Sequence, residues 1–420
     1  METPERIAVI GIGYVGLPLA VAFAAEGIEV VCLDTDSRKV DSLAAGHSYV
    51  EDIPDSVLAP LADRLKPTLD PAELASCSAV IICVPTPLTT AREPDLAYLI
   101  SAGEAVAGNL RQGQLVVLES TTYPGTTGDR LRPILEEATG LRAGQDFSLA
   151  FSPERIDPGR TDYTVRTTPK IIGGLTPDCG ERAAALYGLI CDDIVRVSTP
   201  EAAELTKLLE NIFRSVNIAL VNELSQLCHR LGIDVWEVID AAATKPFGFM
   251  RFEPGPGMGG HCLPVDPFYL AFKAREADFY PEFIELAGKV NRGQPGFCVD
   301  RIEAALNDRS RAVRGSRVLI LGASYKGGIG DTRESPALKI IHLLRERGAE
   351  VSYHDPHVAS LPGFELTSTP LAEAVAASDL VAIVTPHPDL DYAAVVEAAP
   401  LVVDFRGVTR GLEAENVILL

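Results

Sequence analysis

The segment from Ile7 to Asp34, IAVIGIGYVGLPLAVAFAAEGIEVVCLD, restricts the fold of this chain more than any other stretch. Ile7 to Ile10 is a short apolar run, GIGYVG follows, and Leu17 to Ala25 is small and apolar until Gly27 stops it; VVCLD then reads as a second strand. Gly11, Gly13 and Gly16 occupy a G-x-G-x-x-G pattern, and Asp34 ends the second strand 21 residues after Gly13. In a βαβ unit of this kind the glycines allow a tight turn, close passage of a pyrophosphate and close packing of helix on strand. The acid at the end of the second strand binds ribose hydroxyls. The unit therefore predicts dinucleotide binding, and Asp34 favours NAD over NADP because its charge repels a 2′-phosphate. The alternative is that Asp34 merely caps a turn.

Composition narrows the rest. At 420 residues, 47% hydrophobic and 23% charged, the chain has room for two or three domains, and no stretch approaches the ~18 consecutive apolar residues of a membrane span. The N-terminus passes from charged residues straight into a strand, with no signal-peptide core, so a cytoplasmic enzyme is the expectation. A formal charge of −21 argues against a general nucleic-acid or membrane-surface binder. The eight cysteines are scattered, with no CxxC pair, which suggests reduced thiols and neither a disulfide framework nor a metal site.

Further strands are expected at AVIICVPTP, QLVVLESTT, FSLAFSPER and KIIGG. In a doubly wound sheet ligands sit at the carboxyl ends of such strands, which makes Thr86, Thr121 and Glu154 candidates by position, although each is also an ordinary cap or turn residue. From Pro200 the pattern turns helical, in a run of some 30 residues that Gly232 closes. A helix that long commonly joins domains or forms a dimer interface, so a homodimer or higher homo-oligomer is expected. Lys207, Asn211 and Arg214 fall at i, i+4 and i+7 and share one face, either as a solvated stripe or as a site for a phosphate and a sugar hydroxyl. A second α/β pattern starts at Arg317, where Lys326 and Arg333 lie in a Gly-rich loop before a helix that Ser335-Pro336 opens. That loop is not G-x-G-x-x-G, and no second dinucleotide is assigned to it.

Between the two α/β patterns lies PFGFMRFEPGPGMGGHCLPVDP, residues 246–267, in which ten of 22 residues are Gly or Pro. Such a backbone can approach a ligand closely, and it leads into Cys262 and Asp266. A thiolate is a good nucleophile where cations or N–H groups lower its pKa. Alone, the segment is equally a surface turn before an inert buried thiol, and His261 has no evident role.

In combination, GIGYVGLPLA, FSPERIDPG, TKLLENIFRSVNIALVNEL, GPGMGGHCLPVDP and YKGGIGDTRESP resemble the UDP-glucose/GDP-mannose (nucleotide-sugar) 6-dehydrogenase family over about Ile7 to Gly407. The resemblance implies an α/β chain of two Rossmann-like doubly wound domains joined by a long central helix. It implies an NAD-binding domain over 1–199, a central helical dimerisation and catalytic-cysteine region over 200–312, and a UDP-sugar-binding domain over 313–420. It also implies four-electron oxidation of the C6 alcohol of a nucleotide sugar to a carboxylate, with two NAD⁺ and one water. Carried over position by position, Cys262 is the nucleophile that forms a thiohemiacetal and then a thioester. Lys207 stabilises the oxyanion, with Asn211 as its hydrogen-bonding partner, and Asp266 orders the water and assists proton removal. Glu154 and Thr121 help water hydrolyse the thioester. Gly11, Gly13, Tyr14, Val15, Gly16, Asp34, Lys39, Thr86, Thr121 and Arg333 would contact NAD, and Glu154, Arg155, Lys207, Asn211, Arg214, Arg251, Gly257, Gly259 and Lys326 the substrate.

UDP-glucose dehydrogenases usually carry a PEFLxEG-like segment, whereas this chain has PERIDPG, with Asp157 shifting the second acid and Arg155 replacing an apolar residue. With GGHC, this resembles the branch acting on UDP-N-acetylhexosamines. UDP-N-acetylglucosamine is favoured over UDP-ManNAc, UDP-GalNAc and UDP-glucose. A two-electron hydroxyacid dehydrogenase would have no use for Cys262, and a non-catalytic NAD-sensing protein no need of the whole set.

Overall fold

The structure, a computed structural model, describes residues 4–50, 53–89, 93–155, 163–260, 263, 265–412 and 414–420. Cys262 and His261, and with them Asp157, lie outside the described residues. Two compact units divide the chain: one holds the first 210 residues with Phe268–Phe279, the other Asn211–Pro267 with Tyr280–Leu420.

The first unit is built on eight strands: β1 (Arg6–Ile10), β2 (Glu29–Leu33), β3 (Leu65–Thr68), β4 (Ala79–Ile82), β5 (Leu115–Leu118), β6 (Ser148–Phe151), β7 (Lys170–Gly174) and β8 (Ile194–Val197). Their order is 3-2-1-4-5-6-7-8, and every neighbouring pair is parallel except β6 and β7. Alternation along β1 explains why helices cover both faces. Ile7 and Val9 enter one apolar cluster with Leu17 and Phe23 of the Gly16–Ala25 helix, whereas Ala8 and Ile10 enter another with Leu99 and Leu135. Ile7 to Ile10 are all buried, as expected of a strand covered on both sides, and only Arg6 at its start is partly exposed. The order reverses between β1 and β4, so the crevice at their carboxyl ends is the place for a ligand. Strand β3, LKPT, was not anticipated from the sequence. Pro67 donates no backbone hydrogen bond, and the strand survives because it is the sheet edge.

The second unit holds a five-stranded parallel sheet of β9 (Arg317–Leu321), β10 (Glu350–His354), β13 (Leu380–Ile383), β14 (Val402–Asp404) and β15 (Val417–Leu419), in the order 10-9-13-14-15. A small hairpin, β11 (Ser360–Leu361) and β12 (Leu366–Thr367), lies beside it in the sequence. Val318 and Ile320 pack to one face and Leu319 and Leu321 to the other. The long helix runs over Pro200–Leu231, and Gly232, at φ +67°, ends it in the left-handed conformation that glycine takes without strain. Ser335 caps the Pro336–Glu346 helix, accepting from the Ala337 N–H at 3.3 Å.

Candidate functional site

The glycine turn after β1 has the geometry its spacing predicts. Gly11 sits at φ +88°, and a Cβ there would lie 2.6 Å from the Cys83 carbonyl oxygen. At Gly16 a Cβ would lie 2.0 Å from the Gly11 carbonyl oxygen, so helix and turn meet as closely as backbones can. At Gly13 a Cβ would meet no atom within 4 Å, which leaves that side of the turn open to a ligand. Val15, at the helix N-cap position, offers no side-chain cap, so the first N–H groups remain for an anion. Half-exposed Tyr14 lies in the same turn.

Asp34 is buried, with the backbone N–H groups of Ile12 (3.0 Å) and Asp36 (2.9 Å) on its two carboxylate oxygens and Lys39 Nζ at 3.0 Å. Thr86 donates its hydroxyl to the Thr121 carbonyl at 2.7 Å, and Tyr269 donates to the Thr86 carbonyl at 2.6 Å. These bonds tie together the loops that leave β4 and β5. The open Gly13, the uncapped helix end and the buried acid fit the pyrophosphate and ribose of NAD.

Glu154 follows β6 and accepts from the Arg155 N–H at 2.7 Å. Arg155 itself turns to the Glu210 carboxylate at 2.7 Å and the Pro169 carbonyl at 2.5 Å, so its guanidinium serves its own unit. Behind Glu154 lies a buried set that the sequence reading passed over: Lys170, Glu119 and Tyr187. Lys170 pairs with Glu119, Tyr187 donates to the other Glu119 oxygen, and Lys170 Nζ is 3.6 Å from Glu154. The signal was present as a charged residue at the end of each of two apolar strands, LVVLE and KIIGG.

Lys207 lies on the long helix with 8% of its surface exposed, and it has no carboxylate partner among the described residues. One turn on, Asn211 is also buried and donates through Nδ2 to Asp266, the first residue of the Asp266–Glu276 helix. The amide expected to serve Lys207 is thus bound to the carboxylate of Asp266, itself only 2% exposed. Arg214 is on the surface.

The Gly/Pro loop packs against the loop after β9. Gly260, at φ +93°, donates its N–H to the Arg333 carbonyl at 3.2 Å, and a Cβ at Gly259 would lie 2.8 Å from both the Glu334 carbonyl oxygen and Tyr325 Cβ. Gly257, at φ +135°, is a second position that strains any side chain. Beside it in the loop, a Cβ at Gly255 would lie 2.5 Å from the Arg406 guanidinium. Arg251 is paired with Asp240 (2.7 Å) and Glu253 (3.1 Å), and Arg333 with Asp331 (2.7 Å). Lys326 stands two residues after Ser324, whose hydroxyl donates to the Lys326 carbonyl at 2.8 Å.

Comparison with known proteins places this geometry. Residues 5–190 match the NAD binding domain of the UDP-glucose/GDP-mannose dehydrogenase family, 201–293 its central domain and 319–411 its UDP binding domain. The chain is 36% identical to a UDP-N-acetyl-D-mannosamine dehydrogenase of Pyrococcus horikoshii, over 97% of this chain and 99% of that protein. It is 37% identical to a UDP-N-acetyl-D-glucosamine 6-dehydrogenase of Pseudomonas aeruginosa, over 84% of this chain and 83% of that one. The solved structure of the Pyrococcus horikoshii UDP-D-ManNAc dehydrogenase superposes with a TM-score of 0.90, covering 99% of this chain and 98% of that chain at 36% identity. Among the described residues, no helix is long and apolar enough to cross a membrane. With all three family domains matched in order and an NAD cradle of the right geometry, the chain belongs to the UDP-glucose/GDP-mannose dehydrogenase family of NAD-dependent oxidoreductases.

Proposed function

We propose that this enzyme oxidises the C6 alcohol of a UDP-N-acetylhexosamine to the uronate in two successive two-electron steps. The observation that carries the mechanism is the buried Lys207 ammonium without a carboxylate partner among the described residues. A buried charge left uncompensated is costly, and an oxyanion on the substrate supplies the missing partner. In the first step a base takes the hydroxyl proton, a role we assign to Asp266, whose carboxylate accepts from Asn211. NAD⁺, when bound on the Gly11–Gly16 turn, would supply the hydride acceptor for each oxidation. The Cys262 thiolate adds to the resulting aldehyde as a thiohemiacetal, whose oxyanion Lys207 stabilises, and the second oxidation leaves a thioester. Water, positioned by Thr121 and deprotonated by Glu154, adds to that carbonyl; the C–S bond breaks and the thiolate is restored. Per substrate, one water is consumed and two NADH and three protons are released, with the product as its carboxylate.

For the sugar, the PERIDPG segment and the similarity to dehydrogenases of both UDP-N-acetylglucosamine and UDP-N-acetylmannosamine support the N-acetylhexosamine class, within which UDP-N-acetylglucosamine is our choice. We also propose a homodimer formed along the Pro200–Leu231 helix. The test of function is NADH formation over UDP-Glc, UDP-GlcNAc, UDP-GalNAc, UDP-ManNAc and GDP-Man, with the product weighed by mass spectrometry. We expect two NADH per uronate on a UDP-N-acetylhexosamine and no uronate from Cys262→Ala. One NADH per substrate, or an aldehyde end product, would remove the four-electron assignment.

A further inference from the structure

Lys170 opens β7, the strand that runs antiparallel to β6, and so its side chain reaches the loop that β6 feeds. The side chain is 7% exposed, its Nζ pairs with Glu119 at the end of β5, and Glu154 Oε2 lies 3.6 Å away. Tyr187, from the Pro177–Tyr187 helix, donates to Glu119, and its ring centroid stands 5.1 Å from Nζ. One ammonium therefore faces two carboxylates, and a buried tyrosine fixes the inner one.

The other described titratable groups around the cluster are two thiols, the Arg166 guanidinium beside one of them, and the Arg155 guanidinium on the Pro169 carbonyl next to Lys170. Burial pushes Cys83, after β4, well above its ordinary value and Cys191 up to about 11, so both stay neutral, and Arg166 acts on Cys191. Burial raises Glu119 to about 7 although Lys170 and Tyr187 oppose it; burial works against the Lys170 charge, but Glu119 and Glu154 hold the ammonium protonated. A lysine needed only to neutralise Glu119 would have no call for a second carboxylate.

We propose that Lys170 is a positioning residue for Glu154: anchored on Glu119 and Tyr187, its ammonium fixes the Glu154 carboxylate and keeps it ionised to accept the proton of the hydrolytic water. This rests on the role of Glu154 given above. In the step concerned, a water O–H bond breaks and its proton passes to Glu154. The hydroxide oxygen bonds to the thioester carbonyl, and the C–S electron pair leaves with Cys262. No redox change occurs, and both hydride transfers precede it.

The test compares the wild-type enzyme with Lys170→Met, Lys170→Arg and the double variant Glu119→Gln/Lys170→Met, in which the two innermost charges are removed together and only the more exposed Glu154 carboxylate of the cluster remains. Steady-state NADH formation is followed from pH 5 to 9, and acyl-enzyme on Cys262 is measured by intact mass after rapid quench. Removing a cation beside a carboxylate raises its pKa. The acidic limb of kcat should therefore move up by at least about one pH unit in Lys170→Met and in the double variant. Acyl-enzyme should accumulate in both while the NADH burst persists, and Lys170→Arg should restore the limb. A folded double variant with an unmoved limb and no acyl-enzyme would overturn the proposal and leave Lys170 a structural ion. A wild-type enzyme that makes no NADH from any sugar of the panel would sink the function and this proposal together, whereas an active wild type with an unmoved limb sinks this proposal alone.

Discussion

Lys207 is a largely buried residue, with 8% of its surface exposed. For a side chain that exists as a strongly hydrated point charge, such a place is worth occupying only if an anion arrives. In the proposed role, an oxyanion that develops during reaction would gain more from the ammonium than the ground-state alcohol or aldehyde does, so the contact would lower the barrier rather than tighten binding. Lys207→Ala should then lower kcat at least about 10²-fold and leave NAD⁺ affinity nearly unchanged, because the cofactor cradle lies on the Gly11–Gly16 turn and Asp34. Steady-state kinetics beside NAD⁺ titration by fluorescence distinguishes the outcomes. A variant with unaltered kcat would return Lys207 to the role of a helix-face lysine.

At the scale of elements, the β5 loop that presents Thr121 is pinned from the long helix. Glu204 is fully buried and accepts from the Gly125 N–H (2.6 Å), the Thr127 N–H (2.9 Å) and the Thr127 hydroxyl (2.7 Å), at the start of the π-helical turn Thr126–Leu131. Burial lifts its carboxyl from 4.5 to about 7, against those hydrogen bonds. With the folded value above the unfolded one, the proton is bound more tightly in the folded state. The stability this contributes is complete below about pH 4.5 and is lost as pH rises through about 7, a swing of up to ~3 kcal/mol. Glu204→Gln does not titrate and forfeits an acceptor for Gly125. Its thermal midpoint should trail the wild type at pH 5, and the gap should shrink by pH 8. A gap that widens with pH contradicts the assignment.

The same scale shows where sequence pattern runs out. The Gly11-Gly13-Gly16 turn and Asp34 were legible because their geometry is local and each glycine answers one steric demand. The Glu119–Lys170–Tyr187 set was not, since strand pairing and a crossing helix bring together residues 51 and 68 positions apart. Nor was the use of Asn211, whose amide goes to Asp266, 55 residues on. In the second sheet, Asp355 follows β10 as Asp34 follows β2. Burial works against its charge, yet His387 at 3.0 Å and the N–H groups of Ala323 (2.7 Å), Ser324 (3.0 Å) and His357 (2.8 Å) hold it at about 2. The His387 ring, wholly buried, occupies one oxygen of that carboxylate.

At the scale of the whole molecule, the long helix carries a second apolar face that is largely exposed in the single chain, with Phe213 set edge-on to Phe252 at 5.8 Å. Leu205, Leu209, Phe213, Leu220, Leu227 and Leu231 are each between 42% and 61% exposed. At about 100° per residue they fall within an arc of about 80°, so they form one stripe along the helix rather than scattered apolar positions. Fully burying side chains of this size is worth about 1.5–3 kcal/mol apiece, and a stripe that pairs with its own copy across a two-fold axis buries each residue twice. The formal charge of −21 opposes self-association over the rest of the surface, which confines any stable contact to a region such as this, where apolar area outweighs repulsion. We therefore expect a dimer at micromolar concentration by light scattering coupled to size exclusion, and a monomer for Leu209→Glu/Leu220→Glu, whose two carboxylates would have to be desolvated in the middle of the interface. Because both positions are already half-exposed in the single chain, the double variant should keep the wild-type circular dichroism, which separates loss of association from loss of fold. A wild type that runs as a monomer, or a folded double variant that still runs as a dimer, would show that this stripe is not the interface.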